Sequence, residues 1–178
     1  FYAPQSNLDK DGRRVMIAWM RMPKPVESKD GTQWIGMMCL PRVVGIKNGQ
    51  VTFDVHPNVK ENFEEIDLTK VVLKLKEKQP LWITTTLSEG EELEIGGYEI
   101  RLEDGKVVGN RERVFADMEG YHVENQTPKV GKSAKLDIFV EENLIEIFVN
   151  DGQYVLSHVV YGLGDTLNGK IQKVRVLK

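Results

Sequence analysis

The sequence has little of several features that define whole classes of protein. Among its 178 residues there is one cysteine, Cys39, so a fold held by internal disulfides is excluded. Because Cys39 lies in an apolar run, we expect its thiol to be buried and unreactive. No apolar run approaches the roughly 20 residues that a membrane-spanning helix needs, which predicts no membrane partner.

Charge of one sign is also lacking. The formal net charge is −3, and acidic and basic residues are interspersed along the chain. No basic stripe is present to track a phosphate backbone, so nucleic acid is not an expected partner. The chain starts at Phe1 without an initiator methionine, which predicts that the natural N-terminus lies upstream. This leaves the cellular location open, with the cytoplasm favoured.

The side chains that carry most enzyme chemistry are present but not grouped. His56, His122 and His158 are far apart, and none has a second histidine three or four residues away. This spacing predicts neither a metal site nor a cofactor. Most acidic residues lie in or beside predicted turns and are expected to be solvated. Glu146 differs, because its strand neighbours are apolar and we expect it to be partly buried.

Helical periodicity is scarce. Most segments alternate apolar and polar residues in twos and are rich in Val, Ile and Thr, which is the pattern of half-buried strands. The exception is 57–66, where Val59, Phe63 and Ile66 fall on one helical face after Pro57. We therefore predict an all-β, antiparallel fold that is interrupted by one short linker helix.

Strands are predicted on both sides of this helix. Before it they cover residues 1–8, 14–20, 34–46 and 51–55, with an irregular loop at 22–33. After it they cover residues 70–76, 81–87, 93–102, 106–108, 135–140, 144–149, 154–161 and 171–177. Gly96 and Gly97 are expected to form a bulge within one of these strands. The spacing of the later strands is typical of a β-sandwich or a barrel.

Two regions carry a recognisable pattern. The first combines FYAPQ at 1–5, GRRVMIAWM at 12–20 and WIGMMCLPR at 34–42, and the second is LDIFVEENLIEIFVNDG at 136–152. In this order and spacing they resemble the C-terminal end of the family 32 glycoside hydrolases, which include invertases, other β-fructofuranosidases and sucrose-6-phosphate hydrolases. Departures from the residues usual in that family leave the substrate preference open; they are Ala18, Cys39, Val43 and Asn110.

The resemblance implies a division of the chain. Residues 1–56 would be the last blade of an incomplete five-bladed β-propeller, 57–66 the linker helix and 67–178 a supporting C-terminal β-sandwich. The parent enzyme would cleave a β-fructofuranosyl bond in sucrose, sucrose-6-phosphate or a fructan, with retention and without a metal.

Aromatic residues of the last blade are the expected contacts to this substrate. Sugars bind by stacking their apolar faces on rings, which makes Tyr2, Trp19 and Trp34 candidates. In the family the last blade helps to line the fructose pocket. By resemblance, Tyr2 and Trp19 are therefore the candidate substrate-binding residues of the intact parent, and packing within the blade is the other role that we expect for each ring.

Catalytic residues are not expected in this chain. A retaining glycosidase needs two carboxyl groups about 5 Å apart. The family supplies its carboxylates from Asn-Asp-Pro-Asn-Gly, Arg-Asp-Pro and Glu-Cys motifs, and none of these strings occurs here. Glu146 has no partner carboxylate in the pattern. The chain alone is therefore predicted to be inactive.

Two other functions stay open. The sandwich could act alone as a lectin-like domain in which Trp82 or Tyr154 stacks on a sugar, or the chain could be a purely structural or oligomerisation module. A lone blade would expose apolar faces and an unpaired edge. We therefore expect a homodimer formed through residues 1–46, or poor order in that segment.

Overall fold

The computed structural model describes residues 1–28, 30–115 and 120–178. In these ranges strands predominate and every strand pairing is antiparallel, which confirms the predicted all-β class. No helix within the same ranges is long and apolar enough to cross a membrane.

Seven strands form within the first 55 residues. They are β1 (Tyr2–Leu8), β2 (Arg14–Met20), β3 (Val26–Glu27), β4 (Gln33–Trp34), β5 (Met37–Met38), β6 (Arg42–Lys47) and β7 (Gln50–Val55). Five of them make the N-terminal sheet, in the order β1-β2-β6-β7 with β5 also paired to β2. The other two, β3 and β4, form a small separate hairpin.

The segment 34–46 is not one strand, as the alternation predicted. It is divided among the end of β4, β5 and β6. Gly36 interrupts it with a φ of +152°, and Pro41 lacks an N–H for a neighbouring strand. The predicted loop at 22–33 holds β3 and the first residue of β4, while Lys29 within it lies outside the described residues.

The predicted linker helix at 57–66 is wrong in its second half. Helix α1 covers only Pro57–Glu61, and Phe63–Ile66 is a strand, β8, which pairs with the last strand of the chain. Phe63 and Ile66 looked like one helical face, but they pack into different cores on opposite sides of the sheet. Residues three apart point in opposite directions in a strand, so both can be buried in a layered fold.

A second correction concerns the predicted strand at 70–76. This segment is the short helix α2 (Val71–Lys76), which follows a single 3₁₀ turn at Leu68–Lys70. Val71 and Leu75 are buried while Leu73 between them is half exposed, so the face that packs on the core has the i, i+4 spacing of a helix. The alternation of Leu73 and Leu75 with Lys74 and Lys76 therefore does not mark a strand.

Ten more strands complete the fold. They are β9 (Leu81–Ser88), β10 (Glu92–Ile95), β11 (Tyr98–Glu103), β12 (Lys106–Asn110), β13 (Glu124–Gln126), β14 (Ser133–Glu141), β15 (Leu144–Val149), β16 (Tyr154–Val159), β17 (Leu167–Asn168) and β18 (Lys173–Leu177). The central sheet has the order β16-β15-β14-β9-β18-β8, and the outer sheet has the order β13-β12-β11-β10-β17. One apolar core joins the two, so residues 63–178 contain a sandwich.

The predicted strand at 93–102 is a hairpin rather than one bulged strand. Gly96 and Gly97 form its turn, with φ values of +58° and +94°. A side chain at Gly96 would lie 2.6 Å from the Gly164 carbonyl oxygen, so this turn also needs glycine for space.

The central sheet is covered on both faces, which makes three layers. Its second face packs against the N-terminal sheet in two apolar clusters. One cluster joins Ala18, Met20, Met22 and Cys39 to Phe115, Leu144 and Val159, and the other joins Val55 to Phe139 and Phe148. Burial on both faces explains why all six residues of β15 are buried, Glu146 among them.

Candidate functional site

The two predicted substrate-binding residues lie against each other. Tyr2 on β1 is the cross-strand partner of Trp19 on β2, and their rings meet edge to face with centroids 6.1 Å apart. Tyr2 is 69% exposed and Trp19 is partly buried. The pair thus offers aromatic surface to solvent in a fixed arrangement, which suits stacking on the apolar face of a sugar.

A glycine holds Trp19 in place. The indole lies directly on Gly36, where an added Cβ would come within 2.1 Å of the Trp19 Nε1 atom. Trp34, the third aromatic candidate, is 41% exposed and lies two residues before this glycine. The connection from β4 to β5 therefore brings Trp34 to the same end of the sheet as Trp19.

Trp19 belongs to a continuous surface that we call the open face. Along β2, Val15, Ile17 and Trp19 point to the side opposite Ala18 and Met20, which pack on the sandwich. Their partners on β1 are Asn7, Gln5 and Tyr2 in turn. The open face thus consists of Tyr2, Gln5, Asn7, Val15, Ile17 and Trp19.

An open groove of about 670 Å³ continues the open face towards α1. Its walls include Leu8, Pro41 and Val59 beside the β2 residues. More widely, nine of the fourteen exposed large hydrophobic residues in the described chain lie within residues 1–51, and these are Phe1, Tyr2, Leu8, Ile17, Trp34, Ile35, Met38, Ile46 and Val51. Apolar surface concentrated in this way is typical of a binding or docking surface.

One acidic residue borders the groove. Asp9 is partly desolvated, but hydrogen bonds from His56 and Arg13 outweigh that effect and hold the pKa of Asp9 far below its usual range. The His56 Nε2 atom lies 3.0 Å from the Asp9 carboxylate, and its Nδ1 atom accepts a bond from the Asn58 N–H. Asp9 is thus a structural anion with no proton to donate at neutral pH.

Glu94 on β10 and Glu99 on β11 are direct cross-strand neighbours. They form the one acidic pair that the strand pairings of the described residues place side by side. Glu99 pairs with Arg113 at 3.0 Å. Glu94 is partly desolvated, but bonds from Thr166, the Gly97 N–H and Asn168 lower its pKa. A catalytic pair needs one carboxyl group held protonated, and this environment keeps Glu94 ionised.

Glu146 is fully buried and has the partner that the sequence pattern did not reveal. Its carboxylate forms an ion pair with Arg42, which is 3% exposed. It also accepts a bond of 2.7 Å from the Leu40 N–H and one of 2.6 Å from the Ser157 hydroxyl. We call these four residues the interlayer clamp, because they join the N-terminal sheet to the central sheet.

A signal for the clamp was present in the sequence. Glu146 is the one charged residue in β15, and a carboxylate enclosed by apolar neighbours requires a cation and further hydrogen-bond donors. Arg42 lies in the quoted WIGMMCLPR motif. Nothing in the spacing of the two residues, which are 104 positions apart, could connect them.

The histidines do not assemble a metal site. Within the described residues, no group of three or more potential metal ligands is present. His56 bonds to Asp9, whereas His158 is buried between Tyr98 and Asn125. Burial lowers the pKa of His158 to about 3, with a smaller effect from the positive charge of Arg111.

The proposed sugar contacts of a lectin-like sandwich are already occupied. The Trp82 ring stacks on Phe139 with centroids 5.4 Å apart, and the Arg175 guanidinium lies 4.1 Å above its centre. Its indole N–H donates to Asp137. Tyr154 packs against the sandwich core. These contacts weigh against either ring as a free stacking surface.

Comparison with known proteins matches both halves of the chain to one family. The N-terminal domain of the glycosyl hydrolases family 32 matches residues 1–57, and the C-terminal domain of the same family matches residues 51–173. The chain is 32% identical to a sucrose-6-phosphate hydrolase of Escherichia coli, with 90% of this chain and 36% of that protein covered.

A further relative gives the same result, and a solved structure shows the same fold. The chain is 27% identical to a sucrose-6-phosphate hydrolase of Vibrio alginolyticus, over 88% of this chain and 34% of that protein. The solved sucrose-6-phosphate hydrolase of Lactobacillus gasseri has a similar fold, with a TM-score of 0.74, 20% identity and coverage of 98% of this chain and 40% of that one. The chain therefore spans little more than a third of the length of the relatives it matches.

Proposed function

We propose that this chain, which belongs to family 32 of the glycosyl hydrolases, forms the C-terminal part of a retaining β-fructosidase. The enzyme would act on sucrose, sucrose-6-phosphate or a fructan. The observation that carries this proposal is the succession of an N-terminal and a C-terminal family match along one chain. The short coverage of the relatives supports a longer parent enzyme in which earlier segments supply the catalytic carboxylates.

The roles of the two parts follow from the layers. Residues 1–56 would be the last blade of a five-bladed propeller and residues 67–178 the supporting sandwich. Strand β8 belongs to the sandwich by its hydrogen bonds, so the connection between the parts reduces to α1 and Asn62. Two apolar clusters and the interlayer clamp support a fixed orientation of the blade on the sandwich.

The chain alone would be a non-catalytic part. Hydrolysis with retention requires one carboxylate as nucleophile and a second carboxyl group as acid and base. The carboxyl groups of Asp9, Glu94 and Glu146 are each engaged by hydrogen-bond donors or an arginine. None of them is placed to protonate a leaving group.

A first experiment compares this chain with the longer reading frame. The upstream sequence should encode the Asn-Asp-Pro-Asn-Gly, Arg-Asp-Pro and Glu-Cys motifs, and the longer product should release fructose from one of the named β-fructosides. The 178-residue chain should release none. Turnover by the short chain, or a longer product inactive on all of these substrates, would contradict the proposal.

A second experiment tests the aromatic pair in the longer enzyme. Loss of a stacking ring should raise KM by roughly twofold to twelvefold, because aromatic stacking contributes about 0.5–1.5 kcal/mol. We expect this for Trp19→Ala and Tyr2→Ala, whereas Tyr2→Phe should retain the wild-type KM. Trp82→Phe, in the sandwich, is the matched control. An unchanged KM in Trp19→Ala and Tyr2→Ala would remove these residues from the pocket.

The lectin-like alternative is the weaker one, because Trp82 and Tyr154 are packed. It is tested by titrating fructo-oligosaccharides into the chain while recording tryptophan fluorescence. A supporting domain should give no saturable change, whereas saturation that disappears in Trp82→Phe would favour the alternative.

A further inference from the structure

The two motifs that carry the family resemblance meet in the interior of the molecule. Arg42 comes from WIGMMCLPR in the N-terminal sheet, and Glu146 comes from EIFVNDG in the central sheet. Ser157 on β16 donates to Glu146 and accepts a bond of 2.7 Å from Arg42. The buried polar side chain of each motif therefore finds its partner in the other motif.

A short path leads from this carboxylate to Trp19. The second Glu146 oxygen holds the Leu40 N–H at 2.7 Å. The preceding residue, Cys39, donates its N–H to the Ala18 carbonyl at 3.0 Å, and its Sγ atom accepts a bond of 3.3 Å from the Ala18 N–H. Ala18 directly precedes Trp19. Glu146 thus anchors a main-chain segment that is bonded to the strand beside the indole.

The same segment also determines what lies beneath the indole. Met38 is the β5 partner of Trp19, and the Gly36 backbone supports the ring. Residues 36–40 form one short stretch whose far end is the Leu40 N–H. Only two residues of this stretch, Met37 and Met38, belong to a strand, so strand pairing holds little of it in place. A shift at Leu40 would therefore also move the backbone on which Trp19 rests.

We propose that Glu146 is a positioning residue for Trp19, acting through its bond to the Leu40 N–H, so that the sandwich sets the geometry of the aromatic pair. The proposal rests on the proposed function for the meaning of that pair as a sugar contact. It assigns to the sandwich a part in substrate binding that is indirect: the carboxylate touches no substrate and orients the residue that does.

Two variants separate positioning from simple stabilisation. Glu146→Gln removes the charge and leaves an amide oxygen that can still accept from the Leu40 N–H. The double variant Arg42→Met with Glu146→Leu removes both charges, so no unpaired charge is buried, and it also removes the acceptor. Glu146→Gln should destabilise the fold and leave Trp19 in place. The double variant should keep a stable fold and displace Trp19.

The readouts are the indole ¹H–¹⁵N resonances of the tryptophans and the exchange rates of the Leu40 and Cys39 amides. In the double variant the Trp19 resonance should shift, and the two amides should exchange about tenfold faster, as expected for the loss of one buried hydrogen bond. Glu146→Gln should keep the wild-type Trp19 resonance and Cys39 protection. Trp82 reports on the sandwich; it stacks on Phe139, the cross-strand partner of Glu146, and its resonance should shift less than that of Trp19 in the double variant.

Three results would overturn the proposal. They are an unaltered Trp19 resonance in the double variant, an equal displacement of Trp19 in Glu146→Gln, and a shift of Trp82 as large as that of Trp19. Failure of the proposed function would look different. In that case these spectra would follow the variants as described, while Trp19→Ala in the longer enzyme would leave KM unchanged.

Discussion

Protonation of His158 should weaken the sandwich at mildly acidic pH. This histidine projects from β16 of the central sheet, and its two ring nitrogens face the Tyr98 hydroxyl on β11 and the Asn125 side-chain amide on β13. It therefore connects the two sheets. Gly109 leaves room for the contact, since a Cβ there would lie 2.2 Å from the Tyr98 oxygen. A positive charge at this buried position would also lie near Arg111.

The size of the effect follows from the pKa of His158. Burial lowers that pKa from 6.5 to about 3. Between these two values the unfolded chain binds more protons than the native chain, so the free energy of unfolding falls as the pH falls. The contribution is complete above the unfolded pKa and is lost on acidification at about 1.4 kcal/mol per pH unit. From about pH 6.5 to about pH 4 the loss amounts to roughly 3 kcal/mol.

Urea unfolding at about pH 7 and about pH 4 measures this loss. His158→Gln keeps an amide in place of the imidazole and cannot titrate. Between about pH 7 and about pH 4, its free energy of unfolding should therefore fall by roughly 3 kcal/mol less than that of wild type. His122→Gln is the control, because His122 is exposed. The same pH dependence in wild type and His158→Gln, or a measured His158 pKa near 6.5, would refute the reasoning.

Three further predictions concern packing, assembly and reactivity. Gly152→Ala should destabilise the chain more than Gly90→Ala in thermal unfolding. Both glycines have φ near +82°, but only at Gly152 would an added Cβ meet backbone, 2.1 Å from the Phe53 oxygen. Equal losses of stability in the two variants would contradict this. If the open face drives dimerisation, Ile17→Asp should give a monomer by light scattering. Leu177→Asp changes another exposed position and should leave the dimer intact. A monomeric wild type with protected amides in residues 1–46 would exclude the dimer. Burial raises the pKa of the Cys39 thiol, so alkylation should require unfolding, and rapid labelling of the native chain would show otherwise.

Local alternation predicted most strands well and failed at a few segments. Strands β2 and β15 have the predicted bounds, and β14 extends the predicted strand at 135–140 by two residues at its start and one at its end. The failures at Phe63–Ile66 and Val71–Lys76 have different causes. Phe63 and Ile66 are buried in two different cores, so their helical spacing does not describe one face. Val71 and Leu75 are buried in the same core at helical spacing, while Leu73 between them is half exposed.

The candidate site was predictable only in part. Tyr2 and Trp19 were named by resemblance, and their edge-to-face contact required the register of β1 with β2. The support of Trp19 by Gly36 and the clamp of Glu146 with Arg42 could not be predicted, because each depends on residues brought together by folding. Substrate binding by the aromatic pair stays a prediction.

By itself, the sequence determined the class of fold, the family and the absence of that family's catalytic motifs, because these are properties of local pattern and residue identity. Only the tertiary structure decided that the sandwich sheet is the middle of three layers and that Glu146 has an arginine partner. The physical reason is that burial on a second face, and the pairing of a buried charge, depend on contacts between segments that are about a hundred residues apart.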